Sequence, residues 1–241
     1  MRILVIQHED GAGPGLVGDR LTDLGADLDV RHPWDVRSGR PVPPDLSGHD
    51  ALIVLGGAQA AYDPIAWWPA VFELLREAVR DDVPTLAICL GAQLLAVAGG
   101  GEVRRAAHDE VGLCTLMKYP NPDPLFDTLP PGARAVQWHH DEISVLPAGA
   151  VPLMYCADGF AHQAFRMGSR VWAVQFHPEV LYDDLRSWAE SDPMEGVDAA
   201  MDDVLDAYVE LLNTWTGFTD HWYALAANPS AATALTAEPA P

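Results

Sequence analysis

Three residues combine a nucleophile, a base and an acid at spacings that favour acyl-transfer chemistry, and the first of them is a cysteine. Cys89 follows a short apolar run, residues 86–88, and precedes a helical pattern that begins at Ala92. A strand that turns directly into a helix, with small residues such as Ala87 and Gly91 around the turn, is the geometry of a nucleophile elbow. The N–H groups of the helix then face the sulfur, which suits a thiolate. A lone cysteine at a strand end is more often a buried structural thiol, so Cys89 needs partners.

The base is best supplied by His177, which differs from the other histidines in its setting. It ends an apolar strand pattern, residues 172–176, and opens the tripeptide His177-Pro178-Glu179. Residues two apart in an extended segment point the same way. Glu179 is therefore expected to hydrogen-bond one ring nitrogen of His177 while the other nitrogen faces a substrate. Taken alone, the tripeptide is also typical of a surface turn.

A glycine pair at the end of another strand pattern supplies candidate oxyanion donors. Gly56 and Gly57 follow the apolar run 50–55, and glycine at such a turn allows backbone N–H groups to face a cavity. The N–H groups of Gly57 and of Leu90, the residue after the nucleophile, would together form an oxyanion hole. The alternative is an ordinary strand-to-loop turn.

The elements that must position these residues alternate between strand and helix. Strands are predicted at 2–7, 27–31, 50–55 and 86–88, and helices at 16–24, 67–80 and from 92. This order predicts a doubly wound, flavodoxin-like α/β fold, a mostly parallel sheet with helices on both faces. The second half is strand-rich, with strands at 102–105, 111–117, 133–138, 151–156, 163–166 and 171–176, then helices at 182–190 and 197–215.

Composition restricts the partners and the compartment. The chain has 241 residues and a formal charge of −21, which disfavours non-specific binding to nucleic acid or to an anionic membrane. No apolar run is long enough to span a membrane, and the N-terminus has no cleavable leader pattern. The three cysteines, Cys89, Cys114 and Cys156, are odd in number and lack CxxC spacing. They are typical neither of a disulfide framework nor of a zinc knuckle. We therefore expect a reduced, cytoplasmic compartment.

Together these stretches resemble the class I, triad-type glutamine amidotransferases. The matching segments are Gly56-Gly57-Ala58-Gln59 with Tyr62-Asp63, residues 84–93 around Cys89, Trp138-His139-His140-Asp141, and residues 174–180 around His177. They follow the order of the family over residues 1–190. Two positions depart from the common pattern: Ala58 stands where proline often follows the glycine pair, and Ala87 where glycine is frequent.

The resemblance implies an amide hydrolase with a Cys-His-Glu triad. Cys89 attacks the side-chain amide of L-glutamine, and His177, held by Glu179, protonates the ammonia that departs. Water then hydrolyses the γ-glutamyl thioester. The oxyanion is met by the N–H groups of Gly57 and Leu90.

The resemblance also assigns substrate contacts and implies no cofactor. Gln93 and the loop Trp138-His139-His140 correspond to positions that line the bound glutamine. The acidic and histidine run 139–142 is also compatible with a metal site. No spacing in the sequence supplies a third and fourth ligand on a rigid element, so no metal is predicted.

The recipient of the ammonia is left open by the sequence. The sole lysine, Lys118, is not in a phosphate-binding loop, so GMP synthesis by this chain alone is not expected. The pattern most resembles the stand-alone, GMP-synthase-like branch, which implies a separate synthetase as a partner. The alternative is a γ-glutamyl hydrolase that cleaves a γ-glutamylated peptide or metabolite. A non-catalytic binding subunit is the third hypothesis, and the intact triad argues against it.

Three regions are predicted along the chain. Residues 1–190 form the amidotransferase domain, residues 191–227 a helical C-terminal extension packed on it, and residues 228–241, rich in Ala, Pro, Ser and Thr, a disordered tail. The amphipathic helix 197–215 is expected to pack on its own domain, with a homodimer contact as the alternative.

Overall fold

The computed structural model describes residues 1–35, 37, 39–157, 159–192 and 194–228. The predicted disordered tail therefore lies outside the described residues, except for Asn228, which directly follows the last helix. None of the helices in the described part of the chain has the length and apolar content that crossing a membrane requires.

The first half of the chain builds the parallel part of the sheet. Its elements are β1 (Arg2–Ile6), α1 (Gly15–Asp23), β2 (Asp27–Arg31), β3 (Ala51–Val54), α2 (Trp68–Asp81), β4 (Thr85–Ile88) and α3 (Leu90–Ala98). All residues of β3 and β4 are buried. Such continuous apolar strands are typical of a parallel sheet covered on both faces.

The second half supplies the remaining strands and two further helices. They are β5 (Glu102–Lys118), β6 (Arg134–Val145), β7 (Val151–Cys156), β8 (Ala164–Met167), β9 (Val171–Val174), α4 (Tyr182–Ser191) and α5 (Val197–Ala227), with a short 3-10 helix at Phe126–Thr128. The strand order within the described residues is β2-β1-β3-β4-β9-β8-β7-β5-β6. β9 pairs in parallel with β4, and every pairing beyond β9 is antiparallel.

Helices cover both faces of this sheet, which confirms the predicted doubly wound α/β architecture. On one face, Val17 of α1 packs in a hydrophobic core with Val204 and Trp215 of α5. On the other face, Leu74 of α2 and Leu94 of α3 belong to a second core. Alternate residues of β1 enter the two cores, as the pleat of a strand buried on both sides requires.

Three predicted strands or helices have wrong boundaries. The strand predicted at 133–138 is β6, which continues to Val145. The strands predicted at 102–105 and 111–117 are one strand, β5, which pairs with β6 on both sides of a register shift between Arg105 and Glu110. The polar residues of that irregular stretch hid its continuity, since they break the apolar alternation. The last helix continues from the predicted end at 215 to Ala227, because Phe218 and Trp222 remain buried at helical spacing.

The long helix α5 is held to the rest of the chain by side-chain contacts as well as by its apolar face. Arg20 of α1 makes an ion pair with Asp220 at 2.6 Å, and Arg134 of β6 makes one with Glu210 at 2.5 Å. α5 thus lies against α1 and the outer strands, while the predicted domain boundary at residue 190 and the homodimer alternative stay predictions.

A disulfide bond joins Cys114 and Cys156, so the prediction that these cysteines are unpaired is wrong. Cys114 lies on β5 and Cys156 on β7, two strands that pair with each other, and their Cα atoms are 5.9 Å apart. Sequence spacing could not reveal this contact, because it depends on the order of strands in the sheet. Cys89 is the free cysteine of the described residues and is buried.

We expect reduction of the Cys114–Cys156 bond to lower the free energy of unfolding. The bond closes a loop across a sequence separation of 42, and the loss of that cross-link should cost about 4 kcal/mol. Urea unfolding with and without dithiothreitol measures the difference. A Cys114→Ser/Cys156→Ser variant, which keeps Cys89, should unfold identically in both conditions; an equal response of the two proteins to reductant would contradict the assignment.

Candidate active site

Cys89 stands at the corner of a strand-to-helix turn in a strained backbone conformation. β4 ends at Ile88, α3 begins at Leu90, and Cys89 has φ 50° and ψ −107°. Such a positive φ in a non-glycine residue costs of order 1–3 kcal/mol and persists only where surrounding contacts fix it. Here the N–H of Cys89 donates to the carbonyl of Val174 at 2.8 Å, and its carbonyl accepts from the N–H of Gln93 at 3.0 Å. The predicted elbow is therefore present.

Gly91 allows the elbow to lie directly against the neighbouring strand. A Cβ on Gly91 would lie 2.1 Å from the carbonyl oxygen of Val54, which is the last residue of β3. Because both groups belong to the backbone, neither can move aside. The sequence needs glycine here for close packing of the start of α3 on β3.

His177 and Glu179 form a buried pair behind the elbow. Nδ1 of His177 donates to Oε1 of Glu179 at 2.8 Å, and both side chains are about 95% buried. This hydrogen bond leaves Nε2 of His177 for Cys89. Nε2 is buried and makes no hydrogen bond of good geometry within the described residues, nor does the second oxygen of Glu179.

The protonation of His177 depends on its two acidic neighbours. Burial alone would lower the pKa of His177, but the negative charges of Glu179 and Cys89, with the hydrogen bonds that each can accept, outweigh it. They hold that pKa well above its usual value of 6.5. A protonated imidazole beside a cysteine is a ready donor for an amine that leaves.

Gln175 borders the sulfur of Cys89 and contacts Gln93, and only Gln93 was predicted. Nε2 of Gln175 lies 3.6 Å from Sγ of Cys89, and its Oε1 accepts from Nε2 of Gln93 at 3.3 Å. Gln93 Nε2 also lies 3.3 Å from the carbonyl of Asp141. Gln175 was missed because it lies within an apolar strand pattern, two residues before His177.

The Gly56-Gly57 turn lies against the elbow. A Cβ on Gly56 would lie 3.2 Å from Cε1 of His177 and 3.6 Å from Cβ of Cys89. A Cβ on Gly57 would lie 3.2 Å from Cδ2 of Leu90. The turn at the end of β3 thus brings Gly57 next to Leu90.

A cavity of about 230 Å³ opens in front of Cys89. The predicted residues that line it are Gly57, Cys89, Leu90, Gln93, Trp138, His139, His140 and His177. Glu179 lies behind His177 and does not reach the cavity. Wall residues that the sequence did not predict include Glu9, Arg105, Trp188 and Asp192. Glu9 could have been found from its position after the carboxyl end of β1, whereas α4 gives no local signal that it covers the site.

The rings of His139 and His140 are held by protein groups. His139 is buried, with Nδ1 3.0 Å from the carbonyl of Asp141 and Nε2 2.9 Å from Oε2 of Glu110. His140 lies between Asp109, at 2.7 Å, and Asp192, at 2.9 Å. Burial lowers the pKa of His140, but hydrogen bonds and charges from these two carboxylates raise it overall. Neither ring is free for a substrate, so both shape the wall.

The run 139–142 does not converge on a metal position. Its two histidines point to different partners, as described above. In the part of the chain that the structure describes, one group of ligand-type atoms lies together, those of Glu110, Cys114 and Cys156, and its two sulfurs are bonded to each other.

The comparison with known families decides the class of the protein. The glutamine amidotransferase class-I family matches residues 16–186. The chain belongs to this family. The resemblance seen in the sequence is thereby confirmed.

Similar proteins include two synthases and a solved amidotransferase. The chain is 39% identical over 136 residues to GMP synthase (glutamine-hydrolyzing) of Thermotoga sp. (strain RQ2), covering 56% of this chain and 25% of that protein. It is 32% identical over 136 residues to one subunit of the GMP synthase (glutamine-hydrolyzing) of Picrophilus torridus, covering 56% and 70%. A glutamine amidotransferase from Methylobacillus flagellatus superposes with TM-score 0.79 and 28% identity over 92% of both chains. The match of the present chain thus covers about a quarter of the length of the Thermotoga protein.

Replacing Gly91 with alanine should destabilise this amidotransferase. Since the new Cβ would meet the carbonyl of Val54 at 2.1 Å, we expect a loss of roughly 2 kcal/mol in the free energy of unfolding. Urea unfolding measures it. Gly217→Ala is the matched control, because a Cβ there meets nothing within 4 Å and should stabilise α5 by about 1 kcal/mol. Equal effects at both positions would refute the close approach.

Replacing Glu179 with glutamine should destabilise the protein in a pH-dependent way. The native state binds the proton of His177 more tightly than the unfolded chain, because its pKa is raised well above 6.5. That stabilisation is complete below about pH 6.5 and is lost as the pH rises through the native pKa. Glu179→Gln should therefore lower the free energy of unfolding by roughly 3 kcal/mol at low pH. This loss of stability relative to wild type should become smaller above neutrality.

Urea unfolding of wild type and Glu179→Gln between about pH 5 and about pH 9 tests this dependence. Glu73→Gln is the control, since Glu73 is an exposed residue of α2 that pairs with Arg76. Its small effect should not follow the same profile. A deficit for Glu179→Gln that stays constant with pH would show that the charge of Glu179 does not hold the proton.

Proposed function

We propose that this chain hydrolyses the side-chain amide of L-glutamine to glutamate and ammonia. The observation that carries the proposal is that Cys89 and His177 line one cavity while Glu179 accepts a hydrogen bond from Nδ1 of His177. A nucleophile, a base and a group that orients the base are the parts that covalent amide hydrolysis needs.

In the first half of the reaction, Sγ of Cys89 attacks the amide carbon and the carbonyl oxygen becomes an oxyanion. The N–H groups of Gly57 and Leu90 are the proposed donors to that oxyanion, and each is worth roughly 3 kcal/mol in the transition state. The carbon–nitrogen bond then breaks as His177 gives the proton on Nε2 to the nitrogen. Ammonia leaves, and a γ-glutamyl thioester remains on Cys89.

In the second half, water replaces ammonia in front of His177. The neutral imidazole takes a proton from the water, and the hydroxide attacks the thioester carbon. The carbon–sulfur bond breaks, which returns Cys89 as a thiolate and His177 as an imidazolium. Glu179 keeps the ring oriented through both halves, because its carboxylate accepts from Nδ1.

The ammonia is proposed to pass to a synthetase on another chain. The similarity to one subunit of a GMP synthase supports a role as the glutamine-hydrolysing partner of such an enzyme. Release of free ammonia, as a stand-alone glutaminase, is the same chemistry without that partner.

A second candidate is hydrolysis of a γ-glutamyl bond in a larger compound. It is favoured by the extent of the cavity, which reaches from Cys89 to the charged residues Arg105 and Asp192. That space would suit a leaving group larger than ammonia. The steps at Cys89 and His177 would be unchanged, since only the amine that departs differs.

A substrate panel separates these functions. Purified protein is assayed for glutamate release from glutamine and from γ-glutamyl dipeptides, and we expect glutamine to give the highest kcat/KM. A preference for the dipeptides would favour the second candidate. Cys89→Ala should lower kcat by at least about 10³-fold with the fold intact by circular dichroism. Activity of Cys89→Ala near that of wild type, or no activity of wild type on any compound, would overturn the proposed function.

A further inference from the structure

The carboxylate of Glu9 holds the loop that follows the Gly56-Gly57 turn. One oxygen of Glu9, Oε2, accepts from the backbone N–H of Ala58 at 3.2 Å and from Nε2 of Gln59 at 3.4 Å. Glu9 follows β1 and lines the cavity. A charged acceptor that holds two donors of one loop fixes that loop more firmly than a neutral acceptor would.

The glycine pair needs such a restraint on its C-terminal side. On the N-terminal side, the N–H of Leu55 donates to the carbonyl of Ile6 at 3.0 Å, which anchors the end of β3. Gly56 and Gly57 have wide conformational freedom. The N–H of Ala58 belongs to the peptide unit that follows Gly57. A partner for that N–H therefore limits rotation about Gly57 from the other end.

Glu9 is itself held in place beneath the turn. Nε2 of Gln7 donates to the carbonyls of Glu9 and Asp10 at 2.8 Å and 3.2 Å. The neighbouring residue His8 is fully buried, and its Cβ lies 3.1 Å from the position that a Cβ on Gly57 would occupy. The segment after β1 is thus held in place against the turn.

We propose that Glu9 is a positioning residue, which keeps the Gly57 N–H directed at the oxyanion by restraining the Gly57–Ala58 peptide. Because residue 58 is alanine, no ring fixes its φ and its N–H can donate a hydrogen bond. Glu9 accepts that hydrogen bond and so restrains the loop, as a proline ring would do by fixing φ. The inference rests on the proposed function. It predicts a loss in the chemical step, because a misplaced donor weakens binding of the transition state and not of the substrate.

Direct binding of the substrate's amino group is the competing role for Glu9, since its side chain lines the cavity. The two roles differ in three measurable ways. A positioning role lowers kcat, tolerates glutamine, which keeps an acceptor oxygen, and becomes unnecessary when the loop is restrained in another way. A substrate-binding role raises KM, needs the charge, and persists in any loop background.

A double-mutant cycle between Glu9 and Ala58 tests the proposal. For glutamine hydrolysis, Glu9→Ala should lower kcat roughly tenfold with little change in KM, less than the loss of a whole oxyanion donor. Glu9→Gln should recover much of that loss. In an Ala58→Pro background, Glu9→Ala should cost less than about twofold, because proline has no N–H to hold and fixes φ. A rise in KM of equal size in both backgrounds would overturn the proposal.

Hydrogen exchange of residues 56–60 gives a readout that does not depend on turnover or on the proline variant. Exchange there should be faster in Glu9→Ala than in wild type and unchanged in Glu73→Ala, the exposed control on α2. Unchanged exchange in Glu9→Ala would overturn the proposal even if activity fell. If wild type hydrolyses no γ-glutamyl compound, the proposed function fails, while this measurement still decides whether Glu9 restrains the turn.

Discussion

The parallel pairing of β4 with β9 is the contact on which the site depends. Ile88 and Val174 are partners in that register, and the N–H of Cys89 continues the ladder by donating to Val174. The chain then diverges, into α3 after Cys89 and towards His177 after β9. Two segments far apart in sequence thus place Cys89 and His177 at neighbouring strand ends. Both the strained backbone of Cys89 and the position of His177 follow from this pairing.

Burial gives this arrangement its chemical character. His177 and Glu179 are almost fully buried. An isolated charge in such a buried position would be strongly disfavoured. They are tolerated together because each offsets the charge of the other, and the same coupling keeps a proton on His177. The fixed orientation and the retained proton are therefore consequences of one desolvated pair. The glycines around the elbow make this possible, since larger residues would separate the backbone segments.

Local patterns predicted much of this molecule. The alternating apolar runs predicted the doubly wound sheet, and the setting of Cys89 predicted the elbow, because strand, turn and helix leave short-range signals. The continuous strand β5, the bond between Cys114 and Cys156, and the full length of α5 were missed. Each of these depends on which distant segment lies alongside, and an irregular stretch such as the one between Arg105 and Glu110 weakens the periodic signal.

The sequence by itself determined which residues are candidates for the chemistry: a cysteine at an elbow, a histidine followed two positions later by a glutamate, and glycines where the backbone must come close. These follow from residue type and local spacing. The tertiary structure alone decided what surrounds them, including Gln175 beside the sulfur, Glu9 against the loop after Gly57, and the wall that α4 provides. The physical reason is that such contacts join strand ends and helices remote in sequence, and only the order of strands in the sheet determines which of them meet.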